Sequence, residues 1–269
     1  MAVLLTEQKG IKVVYVIRTL MANIKQSLFN IKFLFVVTVI VILVFSSSYE
    51  SVFSVIENQP KIGSDFKINL LLRIITSDTM LFLLPIFSSL PFTTSFMDDI
   101  KSGFVKLYLP RTTRKQYVFS KLFACLVSGG LCYVIGILSS YLIMSLLLMP
   151  METLVTEKTI IETLQGNLQG TLLLYFVSGA FWSVMGLTVA TVTKSKYMAY
   201  AAPFIIYYIL IILHERYFKY LYVIYPKEWI IPSDKWAIGN LGVILFVTEI
   251  IVVTSIIFIL MAKRRISEL

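Results

Sequence analysis

Apolar runs long enough to cross a bilayer recur six times along this chain, and nothing else about it constrains the fold as strongly. A helix rises 1.5 Å per residue, so roughly 20 apolar residues match the ~30 Å hydrocarbon layer. Spans are expected at about 31–49, 79–96, 122–148, 171–193, 197–213 and 239–262. No stretch between them is long enough to bury a core of its own, so residues 1–269 are expected to form a single transmembrane domain of the all-α class. Composition agrees: 58% of the residues are hydrophobic and only 14% charged, where a soluble domain carries about a quarter. Pro85 and Pro91 fall in the second span and predict a kink there.

Ahead of the first span, Val13, Ile17, Leu20, Ile24 and Leu28 recur at helical spacing, with Lys12, Thr19, Asn23, Gln26 and Asn30 opposite. This predicts an amphipathic helix over 9–30 that lies in the membrane interface. Lys9, Lys12, Arg18 and Lys25 are scattered through the same region, unlike the compact pattern of a cleavable signal peptide, so the first span is expected to serve as its own insertion signal.

A net charge of +9 invites a nucleic-acid reading, but the positions of the charges answer it. With both termini in the cytosol, sixteen of the 24 Lys and Arg fall on the inner pieces and ten of the 15 acids on the outer ones. The inner side then carries about +12 and the outer about −2, the asymmetry that orients membrane helices. No nucleic-acid partner is expected.

The densest local signal is the segment 97–121. Asp98 and Asp99 suit a helix start, Gly103 weakens the helix, Pro110 ends it, and Thr112 or Thr113 can cap the next one. Phe104, Leu107 and Tyr108 would lie exposed on a short surface helix, followed by a basic turn with Arg111 and Arg114 and then Ser120 and Lys121. This pattern of a glycine, a short run, a Pro-x-x-x-Arg turn and Ser-Lys resembles the permease subunits of type-2 ABC transporters. The likeness extends over nearly the whole chain: an amphipathic elbow helix, six spans, a basic loop between spans two and three, a tight turn at Lys194 and Lys196, and an aromatic outer segment. It departs from many members at Lys106, where they carry an acidic residue.

The resemblance implies that Gly103, Phe104, Leu107, Tyr108, Pro110, Arg111 and Arg114 form a cytosolic coupling helix and turn that dock on a separate ATPase. It also implies a second permease chain, identical or homologous. The plainer account of the same residues is a positive-inside loop with an amphipathic turn. This chain has no Gly-x-x-x-x-Gly-Lys-Ser/Thr phosphate loop, so ATP and Mg are expected in the partner ATPase and no cofactor in this chain.

Glu249 is the one ionisable residue well inside a span, where a charge costs about 2.5–3.5 kcal/mol on insertion scales. It is expected to face the bundle interior, as a pathway or gating contact or as a buried hydrogen-bonding group. Cys125, Gly129, Cys132, Gly136 and Ser140 put five small residues on one face of the third span, suited to close helix packing. Gly179 and Ser183 offer a matching patch. The two cysteines stand seven residues apart on one helix, too far for a disulfide. The segment 214–238, with Tyr217, Tyr220, Tyr222, Tyr225, Trp229 and Trp236, reads as short helices in an interfacial aromatic belt, or as a lid over a pathway.

Three function classes can be weighed. An intramembrane protease needs a His-Glu-x-x-His cluster or a Ser with a His partner, and the single His214 supplies neither, so an enzyme is not expected. An ion-coupled carrier or channel would have to rest on Glu249. The membrane subunit of an ATP-driven ABC exporter accounts for the most residues. The absence of a large outer domain suggests a small amphipathic cargo such as an antimicrobial peptide or drug. Abundant Ile, Lys, Phe and Tyr fit an AT-rich bacterial source and hence a plasma membrane.

Overall fold

A computed structural model describes residues 17–58, 62–63, 65–108, 112–153 and 158–268. Within them the architecture is helical: α1 (17–28), α2 (Ile31–Asn58), α3 (Asp65–Ile75), α4 (Asp78–Ser89), α5 (Ser95–Lys101), α6 (Phe104–Tyr108), α7 (Arg114–Leu148), α8 (Lys158–Thr193), α9 (Met198–Ile212) and α10 (Asn240–Ser267). A two-residue parallel ladder, β1 (Ile62–Gly63) with β2 (Glu152–Thr153), ties the α2–α3 and α7–α8 connections together.

Among the described residues, five helical stretches are long and apolar enough to cross a membrane: Ile31–Glu57, Arg114–Met151, Thr163–Thr193, Met198–Tyr217 and Asn240–Ser267. This is the architecture of a helical membrane protein. The expected second span, 79–96, is not one continuous helix. With 12 residues, α4 is about 18 Å long, short of the hydrocarbon thickness. It meets α3 at 67° across Thr76 and Ser77, and α3 and α4 together reach the length and apolarity of a span only as a bent pair. Of the two prolines expected to kink this span, Pro85 is absorbed inside α4, while Pro91 lies in the turn over 90–94 where the helix breaks; a further break precedes Asp78. The break before α4 leaves the Ile75 carbonyl without a helical partner, and the Tyr175 hydroxyl of α8 donates to it. Irregular backbone at membrane depth survives only where protein groups satisfy it in this way.

Other boundaries also differ. The first span runs nine residues past Tyr49 to Asn58, and the third begins at Arg114 rather than near 122. Both extensions are helical turns of mixed polarity, in which Val52, Val55, Tyr117 and Val118 are buried, and they continue the hydrogen-bond ladder beyond the apolar run. Residues 9–16 of the expected amphipathic helix lie outside the described residues; its remainder is helical over 17–28.

The centre of the bundle is α8. Two-thirds (67%) of its span is buried, against 28% for α2, α9 and α10 and 39% for α7. Small residues let its neighbours approach. A Cβ placed on Gly179 would stand 2.6 Å from the Gly129 carbonyl oxygen of α7, and one on Gly186 would stand 2.5 Å from the Ala199 carbonyl oxygen of α9. At the C-terminal end of α8, Arg265 of α10 donates from Nε to Thr191 O (3.2 Å) and from Nη2 to Val192 O (2.9 Å). These carbonyls have no acceptor role left within the helix, and a cation there also offsets the helix dipole. Lys194, at φ 58°, then turns the chain tightly into α9.

Candidate functional site

The turn over 90–94, the starts of α2, α7 and α9, and helices α1, α5 and α6 gather at one end of the bundle. Lys32 of α2 reaches Tyr200 Oη of α9 at 3.0 Å and Thr94 Oγ1 at 3.5 Å. Against this platform α5 presents Asp99 inward. Its Oδ2 accepts from the Tyr117 hydroxyl at 2.7 Å and pairs with Lys121 Nζ at 2.7 Å, both from α7. The Lys121 side chain is 3% exposed and that of Asp99 17%, so this is a buried ion pair. The ammonium also stands 5.0 Å from the centre of the Phe92 ring, a cation–π distance. One residue away, Ser120 accepts from Asn23 Nδ2 of α1 at 2.9 Å. Three separate elements thus converge on one turn of α7. Beside them lies a cavity of about 290 Å³, lined among others by Asn23, Gln26, Asp99, Ser102 and Phe104.

The local sequence explains how α6 is set off from α5. Gly103 adopts φ +74°, a left-handed conformation costly for a residue with a Cβ, and there the helix breaks. The next five residues form α6. Val105 is fully buried and anchors it, whereas Phe104 is 45% and Leu107 77% exposed. Beyond α6, Thr113 forms a capping box with Gln116: Gln116 N–H donates to Thr113 Oγ1 and Thr113 N–H to Gln116 Oε1, both at 3.3 Å. Arg114 follows, exposed in the first turn of α7. Of the residues singled out from sequence, Gly103, Phe104, Leu107 and Arg114 therefore share this end of the molecule. Pro110 and Arg111 lie outside the described residues, as does the side chain of Tyr108. α5 begins at Ser95, so Asp98 lies in its first turn, as a helix-start acid, and Asp99 one residue beyond.

The inward turn of Lys121 was not anticipated. Its signal was depth: Lys121 lies seven residues past the capped start of α7, too far in for a cation at a helix end. No spacing rule pointed to Asp99 as its partner.

The face of five small residues is buried throughout and serves packing. Ser183 Oγ donates to Cys125 O at 2.9 Å, and Cys125 Sγ lies 3.0 Å from Ser183 Oγ. Cys132 donates to Gly129 O at 3.1 Å, Ser140 to Gly136 O at 2.8 Å, and Gly136 lies against Ile40 of α2. Both cysteines are free.

Glu249 corrects an expectation. It does not face the bundle interior: α10 buries Val243, Val247, Ile251 and Thr254, and Glu249 is exposed on the other side. With apolar residues all round α10, the pattern carried no information on which side faced inward.

At the opposite end of the bundle, the segment after α9 holds short helical turns over Leu213–Tyr217, Tyr222–Ile224 and Pro226–Trp229. It is only partly a belt. Tyr217 and Tyr220 are exposed, but Trp229 is 2% exposed and stacks on Trp182 of α8, with ring centres 5.8 Å apart, and meets Phe181 edge to face at 5.3 Å. Lys227 closes over the α3–α4 break through a 2.7 Å ion pair with Asp78. That hydrogen bond raises the Lys227 pKa above its ordinary value.

Searched against protein-family models, curated proteins and solved structures, the chain matches none.

Proposed function

We propose that this chain is the membrane-spanning permease subunit of an ATP-driven ABC exporter, with α6 as the handle that a separate ATPase grips. The observation that carries this reading is the construction of α6. It is a five-residue helix with apolar side chains turned outward, set off by Gly103 and fixed to the bundle by Val105 and by the neighbouring Asp99–Lys121 pair. A loop serving only as a positive-inside anchor has no need of a buried ion pair beneath it.

In this reading the bent pair α3–α4 acts as one span, giving six, and α1 is the elbow helix beside the coupling helix. Both termini and α6 lie in the cytosol of a bacterial cell, with the chain in the plasma membrane. The ATPase binds ATP and Mg; this chain binds neither. Closure of two ATPases would push on α6, and α5 and α7 would pass the displacement to the bundle. Two permease chains would frame the path of the cargo, an antimicrobial peptide or drug. The outward position of Glu249 favours this reading over an ion-coupled carrier, which would need a titratable group on a path inside the bundle.

Replacing Phe104 and Leu107 together by Glu tests it. The doubly substituted chain should still purify as a folded membrane protein but lose its ATPase, because two charges would enter an apolar contact without partners. Undiminished co-purification and transport would contradict the reading.

A further inference from the structure

Four of the eight buried side-chain polar atoms that have no hydrogen-bond partner among the described residues gather in one place. They are Tyr133 Oη of α7, Ser178 Oγ and Trp182 Nε1 of α8, and Tyr207 Oη of α9, on side chains no more than 1% exposed. Ser178 and Trp182 share one face of α8 with Tyr175. Tyr175 stacks on Tyr133 with ring centres 5.3 Å apart, and Trp182 meets Tyr207 edge to face at 5.6 Å. The ring of Tyr133 reaches Phe87 of α4 at 6.4 Å, and that of Tyr207 reaches Phe82 at 6.5 Å. The hydroxyls of Tyr133, Tyr175 and Tyr207 lie within electrostatic reach of one another, and that of Tyr207 within reach of Asp78 and Tyr225. The cluster therefore adjoins the α3–α4 break, where the Tyr175 hydroxyl donates to Ile75 O.

Elsewhere on α7 and α8 the buried hydroxyls are satisfied. Ser120, Ser128, Ser140, Ser183, Thr188 and Thr191 each donate to a backbone carbonyl. Ser178 makes no such bond. A polar group left unpaired in an apolar interior is costly, and native structures hold few of them, so four at one junction mark a place where something else supplies the bonds. Their chemistry defines what fits. The Trp182 N–H can only donate, so the ligand must accept, which a metal or ammonium ion does not. An anion would carry net charge into the bundle, and Lys227 beside the cluster is already paired with Asp78. The tyrosine and serine hydroxyls both donate and accept. A small neutral group that also does both satisfies all four, and water has that chemistry.

We infer that the junction of α4, α7, α8 and α9 is an internal binding site for ordered water, held by Tyr133, Ser178, Trp182 and Tyr207. Asp78, 84% exposed, marks the side from which it fills. Water in this site solvates the α3–α4 break from within and makes it a hydrated hinge instead of a dry bend. The site needs nothing from α6 and stands whether or not an ATPase docks there.

Radiolytic hydroxyl-radical labelling of the purified chain in lipid nanodiscs tests this, because radicals formed from a bound water mark the side chains around it. Tyr133, Trp182 and Tyr207 should be labelled several-fold above Phe96 and Phe258, which are equally buried at 0% exposed and carry no side-chain polar atom, once each rate is scaled to the intrinsic reactivity of its residue type. Tyr133→Phe and Tyr207→Phe give a second readout. Each removes a hydroxyl that holds water and should lower the unfolding midpoint by about 2–4 °C. In a dry core the same change deletes an unpaired hydroxyl and raises the midpoint. Labelling no stronger than at Phe96 and Phe258, or a midpoint that either substitution raises or leaves unchanged, overturns the inference. Neither readout involves the ATPase, so failure here leaves the coupling reading untouched.

Discussion

The two ends of the bundle are held together by opposite means. At the α5–α7 end, a carboxylate and an ammonium are buried against one another, with a tyrosine hydroxyl on the same oxygen. At the other end, Trp182 stacked on Trp229 with Phe181 edge-on supplies the packing, and the ion pair there, Lys227 with Asp78, is open to water on both sides (29% and 84% exposed). A buried pair holds geometry tightly and penalises the loss of either partner; an exposed one yields at little cost. In the proposed coupling reading, the contrast suits an end that transmits force and an end that opens.

The largest effect should come from breaking the buried pair on one side only. Lys121→Met leaves Asp99 and Tyr117 facing each other without a counter-charge and is expected to cost about 3–5 kcal/mol of stability, read as the shift in unfolding of the purified chain in detergent. Removing all the polarity together, through Asp99→Leu, Lys121→Met and Tyr117→Phe, should recover most of that loss. If the coupling reading holds, the recovered protein would bind its ATPase and transport poorly.

Trp229→Ala comes next. It empties a site that is 2% exposed and should cost about 3 kcal/mol, while leaving the α6 end and, in the proposed coupling reading, ATPase binding intact. A variant that released the ATPase would show that the two ends are not separable.

The smallest effect is expected at the exposed latch. Lys227→Met should change stability by no more than about 1 kcal/mol. Because the Lys227 pKa is raised by Asp78, this small contribution is complete below the ordinary lysine pKa of about 10.4 and lost only as the pH rises through the shifted value. Stability measured in the wild type and Lys227→Met between about pH 7 and pH 9 should therefore differ by a constant amount.

What the sequence disclosed follows from where its information lies. Long apolar runs identify spans wherever the helix is continuous, and α9 and the apolar part of α10 match their runs closely. The start of α4 at Asp78 lies one residue from the expected start of the second span, but its end at Ser89 was hidden, because the apolar run continues through Leu90, Pro91 and Phe92. Small residues announce close approach, so the Cys125 to Ser140 face was legible as packing. Inward and outward sides of α10 were not, because aliphatic residues surround it. The short helix after Gly103 was legible from glycine and from the capping Thr113, but its anchor was not, since Asp99 and Lys121 belong to different helices and only the fold brings them together.

The claim on which the account turns is that α6 is a cytosolic handle for an ATPase, and labelling a cysteine placed at Leu107 tests it most directly. Leu107 is 77% exposed and both native cysteines are buried, so the background is low. A membrane-impermeant thiol reagent should modify Leu107→Cys only in inside-out vesicles, and bound ATPase should protect it. Labelling from the outer face of intact cells, or labelling that the ATPase does not slow, would contradict the account.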